Sequence, residues 1–219
     1  LLHTRHLRVR PQRRHNRLDA ARVCCALPTC ERYGVAAAIG AALAHIQRTA
    51  DAGGIELAVA AMQAHPQVVG VHEECCRVLA DVCSGTDAAG LARRQRAADA
   101  GGIEAAVAAL QAHPQEAEVQ EYGCRALVNV CFGTDAAGRA RSQRAADAGA
   151  IEAAVAALQA HPQAAGVQEE GCAALGNVCY GDDDAGLARS SRAAAARAVE
   201  AIVAAVQAHP QEAVQDMGC

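Results

Sequence analysis

Cysteine is the residue type whose number most suggests chemistry, because the chain of 219 residues contains 11 of them. Six recur as pairs seven residues apart, which are Cys76 and Cys83, Cys124 and Cys131, and Cys172 and Cys179. A zinc site needs closely spaced cysteine pairs or histidines at ligand spacing. Seven residues of helix rise roughly 10 Å, which is too far for a disulfide. We therefore interpret these cysteines as small buried hydrophobes in a compartment that keeps thiols reduced, and we expect no metal and no cofactor.

Histidine and serine give no catalytic pattern. Four histidines stand directly before proline, at positions 65, 113, 161 and 209. No acid or nucleophile recurs beside them, serine is too scarce for a repeated triad, and no glycine-rich phosphate loop is present. The sequence therefore predicts a protein that is not an enzyme.

Asparagine is the better candidate for a binding residue. Asn129 and Asn177 lie 48 residues apart in two similar phrases, VQEYGCRALVNVC and VQEEGCAALGNVC. Because asparagine is a modest helix former that prefers helix ends, its place inside a predicted helix indicates that its amide is needed there. That amide could bind a partner, or it could tie one helix to the next through a backbone hydrogen bond. The sequence leaves both interpretations open.

The predicted helix that carries Asn129 runs from about residue 116 to residue 131 and has two faces. At steps of about 100° per residue, one arc is apolar and contains Val119, Gly123, Ala126, Leu127 and Val130. The opposite arc contains Glu121, Tyr122, Arg125, Asn129 and Phe132. Tyr180 follows the equivalent helix of the next phrase. Aromatic residues on a polar face are typical contact anchors, although they could also cover the edge of the core.

These phrases belong to a repeat with a stride of 48 residues. Residues 101–148 and 149–196 are identical at 36 of 48 positions, which indicates duplication of one structural unit. We divide the chain into a basic leader, 1–19, expected to be disordered or extended, and a repeat domain, 20–219. The domain comprises a degenerate unit, 20–52, the repeats 53–100, 101–148 and 149–196, and a partial repeat, 197–219. Because the chain lacks a first Met and stops within a phrase, we expect a segment of a longer protein.

Each repeat contains three predicted helical segments, and we predict an all-α protein. Ile103, Val107 and Leu110 recur at helical spacing, so GIEAAVAALQAH is a short helix with a narrow apolar stripe. The following His-Pro ends it, because proline cannot continue the helix. The segment 116–131 is another helix, and an alanine-rich one closes at Asp99–Gly102, where glycine is expected after the last turn. No unit covers its stripe alone, so neighbouring units must stack.

This pattern resembles the armadillo repeat. In that family the third helix ends in A-L-x-N-L after V-Q-E, and here residues 126–130 read ALVNV after VQE at 119–121. The family's E-A-G closes the first helix and its G-x-I opens the second, for which this chain has DAG at 147–149 and GAI at 149–151. The resemblance implies a right-handed α-solenoid, an armadillo-like superhelix of three-helix repeats, over residues 53–219. The stride exceeds the family's roughly 40–47 residues, and we expect the extra length to be loop.

The resemblance also implies a concave groove lined by the third helices, in which asparagines bind the backbone of an extended peptide. The matching positions are Asn129 and Asn177, with Asp81 in the earlier repeat. One turn before them, where peptide-binding members often carry Trp, this chain has Arg77, Arg125 and Ala173. That difference argues against binding of nuclear localisation signals. It favours a ligand with carboxylates for the two arginines, or a different surface.

Other charged residues also recur at the repeat stride. Two ladders are formed by Arg48, Arg96, Arg144 and Arg192 and by Glu56, Glu104, Glu152 and Glu200. We expect both ladders on a solvent-exposed side of the repeats. They could improve solubility and fix the register of the repeats while contributing little to stability, or they could bind a charged partner.

The basic leader has the charge to bind nucleic acid or an anionic lipid surface. We expect no nucleic-acid binding, because the leader lacks interleaved aromatic residues for base stacking. No apolar run is long enough for a transmembrane segment. The leader also shares features with organelle transit peptides. We therefore expect an intracellular, reducing compartment, with the cytoplasm as the first choice and an organelle as the alternative.

The sequence thus predicts a non-enzymatic armadillo-repeat scaffold that binds a segment of a partner protein in the groove of the third helices. The alternative is a fixed structural or linker subunit of a large multiprotein assembly, held by its ends, loops and basic leader. The candidate partner-binding residues are Asn129, Asn177, Asp81, Arg77, Arg125, Glu121, Tyr122, Phe132 and Tyr180.

Overall fold

The computed structural model describes residues 44–209. The chain divides into two compact units, 1–46 and 47–219, and the helices below belong to the second unit. The predicted leader, most of the degenerate repeat and the end of the partial repeat lie outside the described residues. Within the second unit, residues 47–51 are helical and precede the first complete helix.

The described part of the chain consists of helices joined by short turns and contains no strand. The helices are α1 (Gly54–Ala64), α2 (Val69–Val82), α3 (Ala88–Asp99), α4 (Gly102–Ala112), α5 (Ala117–Cys131), α6 (Ala136–Asp147), α7 (Ala150–Ala160), α8 (Ala165–Cys179), α9 (Asp184–Ala195) and α10 (Ala198–Ala208). We call α3, α6 and α9 the first helices, α1, α4, α7 and α10 the second helices, and α2, α5 and α8 the third helices. The prediction of an all-α protein is confirmed for these residues.

The second helices begin after a residue in the left-handed conformation and end before proline. Gly53, Gly101 and Gly149 have φ angles of 82°, 87° and 95°, which glycine adopts without the strain that a Cβ causes. Arg197 occupies the same place in the last described repeat, with φ 66°. At the other end, each histidine before proline leaves the helical conformation, so the predicted His-Pro stops are confirmed.

The third helices bury the apolar arc that the sequence predicted. In α5 the buried residues of that arc are Val119, Gly123, Ala126, Leu127 and Val130. Gly123 is required because a Cβ at this position would lie 2.7 Å from Leu110 Cδ2. Helices α5 and α4 therefore approach more closely than an alanine at this position would allow.

Each first helix starts at an aspartate that caps its N-terminus. Asp87, Asp135 and Asp183 each accept a hydrogen bond of 2.8 Å from the backbone N–H three residues later. A side-chain cap of this kind stabilises a helix by about 1 kcal/mol. The same residue type at the same phase in all three repeats fixes where the first helices begin.

Equivalent helices of successive repeats contact one another. Helix α5 contacts both α2 and α8, and the second helices α1, α4, α7 and α10 contact one another in the same order. One cluster of buried apolar residues runs through the described repeats, from Ala50 to Ala205. Each repeat therefore shares its core with its neighbours.

The described cysteines are free thiols, and most of them are buried. Burial raises the pKa of the Cys83 and Cys131 thiols to about 12. The thiols of Cys83, Cys131 and Cys179 each point to the backbone carbonyl ten residues later, at 3.8–4.0 Å. These contacts fit cysteine as a small packed residue. No cluster of three or more His, Cys, Asp or Glu side chains that could hold a metal ion occurs among residues 44–209.

In the part of the chain that the structure describes, no helix combines the length and the apolar character needed to cross a bilayer.

Candidate binding surface on the third helices

Most of the predicted binding residues lie on one row of helices. We define the third-helix wall as the polar arc of α2, α5 and α8, which comprises Glu73, Glu74, Arg77, Asp81, Glu121, Tyr122, Arg125, Asn129, Glu169, Glu170 and Asn177. Phe132 and Tyr180 follow directly after α5 and α8. Because α5 contacts both α2 and α8, predicted residues from different repeats come to one surface.

Asn129 and Asn177 connect neighbouring third helices. Asn129 Nδ2 donates a hydrogen bond to Ala80 O at 2.7 Å, and Asn177 Nδ2 donates one to Val128 O at 2.9 Å. Both acceptors lie 49 residues earlier in the chain, one position more than the stride. The helix-to-helix bond that the sequence left open as one interpretation is therefore present. Binding of a partner by these two residues stays a prediction.

Arg125 and Arg77 are paired with carboxylates of the chain itself. Arg125 Nε donates to Glu170 Oε1 at 2.8 Å, and its Nη2 lies 3.4 Å from Glu121 Oε1. The Arg125 and Glu170 side chains are only 11% and 4% exposed, so removal of one would leave the other charge poorly solvated. Arg77 pairs with Glu74 on α2, where both side chains are about half exposed. A carboxylate ligand would have to compete with these pairs.

The three predicted aromatic residues have different surroundings. The Arg94 guanidinium lies over the Phe132 ring, 4.7 Å from its centroid, and the Arg125 guanidinium lies 5.5 Å from the centroid of Tyr122. Both arrangements are cation–π contacts. Tyr180 is 44% exposed, whereas Tyr122 and Phe132 are half-buried. Tyr180 is therefore the most accessible aromatic anchor of the three.

Glu121 has a second role at the start of the next third helix. Its carboxylate occupies the space where a Cβ on Gly166, the second residue of α8, would lie. A carboxylate beside a helix N-terminus interacts favourably with the unpaired N–H groups and the helix dipole. Glu121 therefore supports the joint between α5 and α8 as well as belonging to the third-helix wall.

Sequence reasoning missed the buried arginines of the first helices. Arg93, Arg141 and Arg189 recur at the stride, and each is buried. Their Nε atoms donate to the carbonyls of Val82, Val130 and Val178 at 2.6–2.7 Å. Their Nη1 atoms donate to Oε1 of a glutamine 46 residues earlier, which is Gln47, Gln95 or Gln143. Each guanidinium therefore fastens the end of a third helix to the preceding first helix. Recurrence of Arg and Gln at this constant separation is the signal that could have revealed them.

Three arginines and three glutamates of the two predicted charge ladders form bidentate pairs, whereas Glu200 pairs with Arg197. Arg144 Nε and Nη2 donate to the two carboxylate oxygens of Glu104 at 2.5 and 3.0 Å, and Nη1 donates to Ala98 O at 2.7 Å. Arg96 and Arg192 make the equivalent bonds 40 residues back, to Glu56 and Glu152. Each Arg–Glu pair lies within one repeat, whereas the bond from the same arginine to Ala50 O, Ala98 O or Ala146 O reaches the preceding repeat. The register role of the ladders stays a prediction.

The third-helix wall combines carboxylates, guanidinium groups, amides and aromatic rings. Such groups bind other molecules by ion pairs, hydrogen bonds and stacking, and several of them already bind one another across the repeat boundaries. Comparisons with known protein families, with curated proteins and with solved structures found no match to this chain.

Proposed function

We propose that the chain is a non-enzymatic scaffold of armadillo-like repeats, stacked as a right-handed α-solenoid, which binds a segment of a partner protein along the third-helix wall. The contacts of α5 with α2 and α8 support this proposal. A row of equivalent helices offers an extended partner a row of equivalent positions at constant spacing.

The observation that carries the proposal is where the repeats differ from one another. The arginine positions of the first helices that join repeats hold the same residue in each, as in Arg93, Arg141 and Arg189 or Arg96, Arg144 and Arg192. Several positions on the wall differ, as in Glu74, Tyr122 and Glu170 or Arg77, Arg125 and Ala173. Duplication starts from identical copies, so these wall positions have diverged while the arginine positions have not. Divergence of this kind gives each repeat a different contact with one partner.

The charge of the wall indicates the chemistry of that partner. Its acidic members are Glu73, Glu74, Asp81, Glu121, Glu169 and Glu170, and its basic members are Arg77 and Arg125. Since Arg77 and Arg125 are paired with glutamates of the chain, the wall carries an excess of carboxylates. We therefore expect a partner segment with basic residues, in place of the carboxylate ligand that the two arginines alone suggested.

The alternative is a fixed structural subunit of a large assembly. One observation favours it: Asn129, Asn177 and Arg125 use side-chain donors within the chain. Contacts with an assembly would then involve other surfaces, such as those of the exposed apolar side chains Leu57 and Leu187.

We further propose an intracellular compartment that keeps thiols reduced, with the cytoplasm before an organelle. The cysteines among the described residues are all free, and cysteines persist as free thiols most readily where the redox poise is reducing.

The test compares two charge-reversed variants in binding to short peptides selected from a random display library. Glu74→Arg reverses an exposed carboxylate on the wall. Glu200→Arg reverses a matched exposed carboxylate at the start of α10, and each glutamate is paired with an arginine three residues away. We expect the wild-type chain to select basic peptides, the wall variant to lose them, and the control variant to keep them.

Two results would overturn the wall as the binding surface. Peptides that bind both variants as well as the wild type must occupy another surface. Failure to select any peptide, together with co-purification of the chain in a stoichiometric assembly that the wall variant leaves intact, would support the structural-subunit alternative.

A further inference from the structure

The third helices of two repeats carry a glutamine that covers the end of the preceding second helix. Gln120 Nε2 donates to Leu110 O and to His113 O, both at 2.9 Å. Gln168 Nε2 makes the equivalent bonds to the carbonyls of residues 158 and 161 at 2.8 and 2.9 Å. Both glutamines are buried. Each supplies a donor to a carbonyl of the last helical turn and adds a second hydrogen bond to the histidine carbonyl, which also accepts one from a backbone N–H.

In the first full repeat this position is His72. Its Nε2 lies 3.2 Å from Met62 O, and because a carbonyl only accepts, Nε2 carries the proton. The neutral ring therefore has an unprotonated Nδ1. That atom is buried and has no hydrogen-bond partner among residues 44–209.

We call the contact between two successive repeats a joint. The histidine before proline also differs at the joint between residues 53–100 and 101–148. His161 Nε2 lies 2.9 Å from Pro114 O, and His209 Nε2 lies 3.0 Å from Pro162 O, so each bonds to the preceding repeat. His113 Nε2 is buried without a partner in the described part of the chain. Instead, its ring packs edge to face against His72, with the ring centroids 4.7 Å apart. The joint between residues 53–100 and 101–148 thus contains two contacting imidazoles where the next joint has a glutamine and a histidine.

The surroundings of His72 act in both directions on a positive charge. The carbonyl of Met62, on α1, and that of His65, which follows α1, favour the charged ring, whereas burial and the imidazole of His113 from the next repeat oppose it. The carboxylates beside it on α2, Glu73 and Glu74, belong to the third-helix wall, whereas His72 is 2% exposed. Glu116, at the start of α5, is exposed. Burial, and then the neighbouring His113, lower the pKa of His72.

We propose that the His72–His113 pair makes the joint between residues 53–100 and 101–148 sensitive to acid, so that this joint loosens below about pH 6.5 while the joint between residues 101–148 and 149–196 stays closed. In the folded state the pKa of His72 is lowered. When the joint opens, water surrounds the ring and its pKa returns to the ordinary value. As the pH falls, the opened form therefore takes up the proton first and gains population. The stabilising contribution of neutral His72 is complete above its ordinary pKa of about 6.5 and decreases as the pH falls towards the lower folded-state pKa.

Hydrogen exchange provides the main test, because it reports the opening of each helix separately. Exchange of α2, α5 and α8 amides is measured from about pH 7.5 to about pH 5 and corrected for intrinsic rates. We expect opening of α2 and the start of α5 to increase at the lower pH, by up to tenfold for each unit of pKa depression, while α8 changes little. His72→Gln, which installs the residue found at positions 120 and 168, should abolish this increase.

The reciprocal variant is designed to make the joint between residues 101–148 and 149–196 sensitive to acid. Gln120→His places an imidazole at the position equivalent to His72, with His161 at the position equivalent to His113. We expect α5 and α8 to gain the acid-dependent opening. A wild-type increase that persists in His72→Gln, or that is equal at the two joints, would overturn the proposal. An NMR titration covers the case in which a variant is poorly folded: a His72 ring that titrates at or above its ordinary pKa in the wild-type chain would also overturn it.

Discussion

The first helices and the third helices join the same repeats by different kinds of contact. The first helices use arginine side chains that donate to a glutamine and a carbonyl of the preceding repeat, and to carbonyls and a glutamate of their own repeat. The third helices use closely packed apolar arcs and one asparagine bond at each described joint, and α5 and α8 add the ion pair of Arg125 with Glu170. Hydrogen bonds have narrow geometric limits, whereas apolar packing tolerates substitutions that conserve volume. The comparison indicates that the first helices set the register and leave the third-helix wall free to diverge.

The largest effect on stability is expected from a buried arginine of the first helices. Arg141→Met keeps a long side chain but removes the donors to Val130 O, Phe132 O and Gln95 Oε1. Buried carbonyls left without a partner cost about 1–3 kcal/mol each. We therefore expect the free energy of unfolding, measured with urea, to fall by roughly 3 kcal/mol. Arg139→Met, at an exposed position of the same helix, is the control, and equal losses in the two variants would contradict the proposed role.

The next largest effect concerns close packing in the third helices. Gly171→Ala would place a Cβ 2.8 Å from Leu158 Cδ2, and overpacking of a core costs about 1–3 kcal/mol. Gly176, on the same helix, has no atom within 4 Å of an added Cβ. Gly176→Ala should therefore stabilise the helix by up to about 1 kcal/mol. Thermal unfolding of both variants checks the opposite signs, and a stabilised Gly171→Ala would show that α7 and α8 are not packed this closely.

A smaller loss is expected from the asparagine bond. Asn177→Ala removes one hydrogen bond to Val128 O, which is worth about 1 kcal/mol. Because Asn129 makes the same bond one repeat earlier, the double variant should lose about twice as much as either single variant. Urea unfolding of the three variants provides the measurement. No loss of stability would mean that the amides are kept for a partner and not for the joint.

The smallest effect should come from the exposed pairs. The hydrogen bond from Arg96 lowers the pKa of Glu56, so this pair stabilises the fold above the ordinary carboxyl pKa. Its contribution disappears as the pH falls through the lowered folded-state value. Glu56→Gln should therefore change the urea midpoint slightly near pH 7 and not at all in strong acid, and added salt should reduce the difference. An effect as large as that of Arg141→Met would show that exposed and buried arginines contribute equally.

The elements themselves could be predicted because their signals are local. The arc of Val119, Leu127 and Val130 follows from helical periodicity, and the helix ends follow from His-Pro and from glycine. Each of these signals lies within one helix or turn. They required no knowledge of how one repeat sits on the next.

The joints could not be predicted because they depend on contacts between repeats. Patterns of apolar and charged residues assign every arginine to the surface. They therefore could not show that Arg141 is buried. The direction of the Asn129 amide was equally undetermined, since a bond to the preceding helix and a bond to a partner need the same residue. His72 was not singled out because only this repeat has histidine at that position, and a single departure from a repeat forms no pattern. The next two repeats have Gln120 and Gln168 there.

The polar bonds described above between repeats span 45, 46, 47 or 49 residues, so each reaches only the adjoining copy. Excision of one whole copy, for example residues 101–148, would present Arg189 with Gln95 in place of Gln143, and Asn177 with Ala80 O in place of Val128 O. Each donor would meet an acceptor of the same type at the new boundary. The gene can therefore lose or gain units of this length by unequal recombination without any compensating change of sequence.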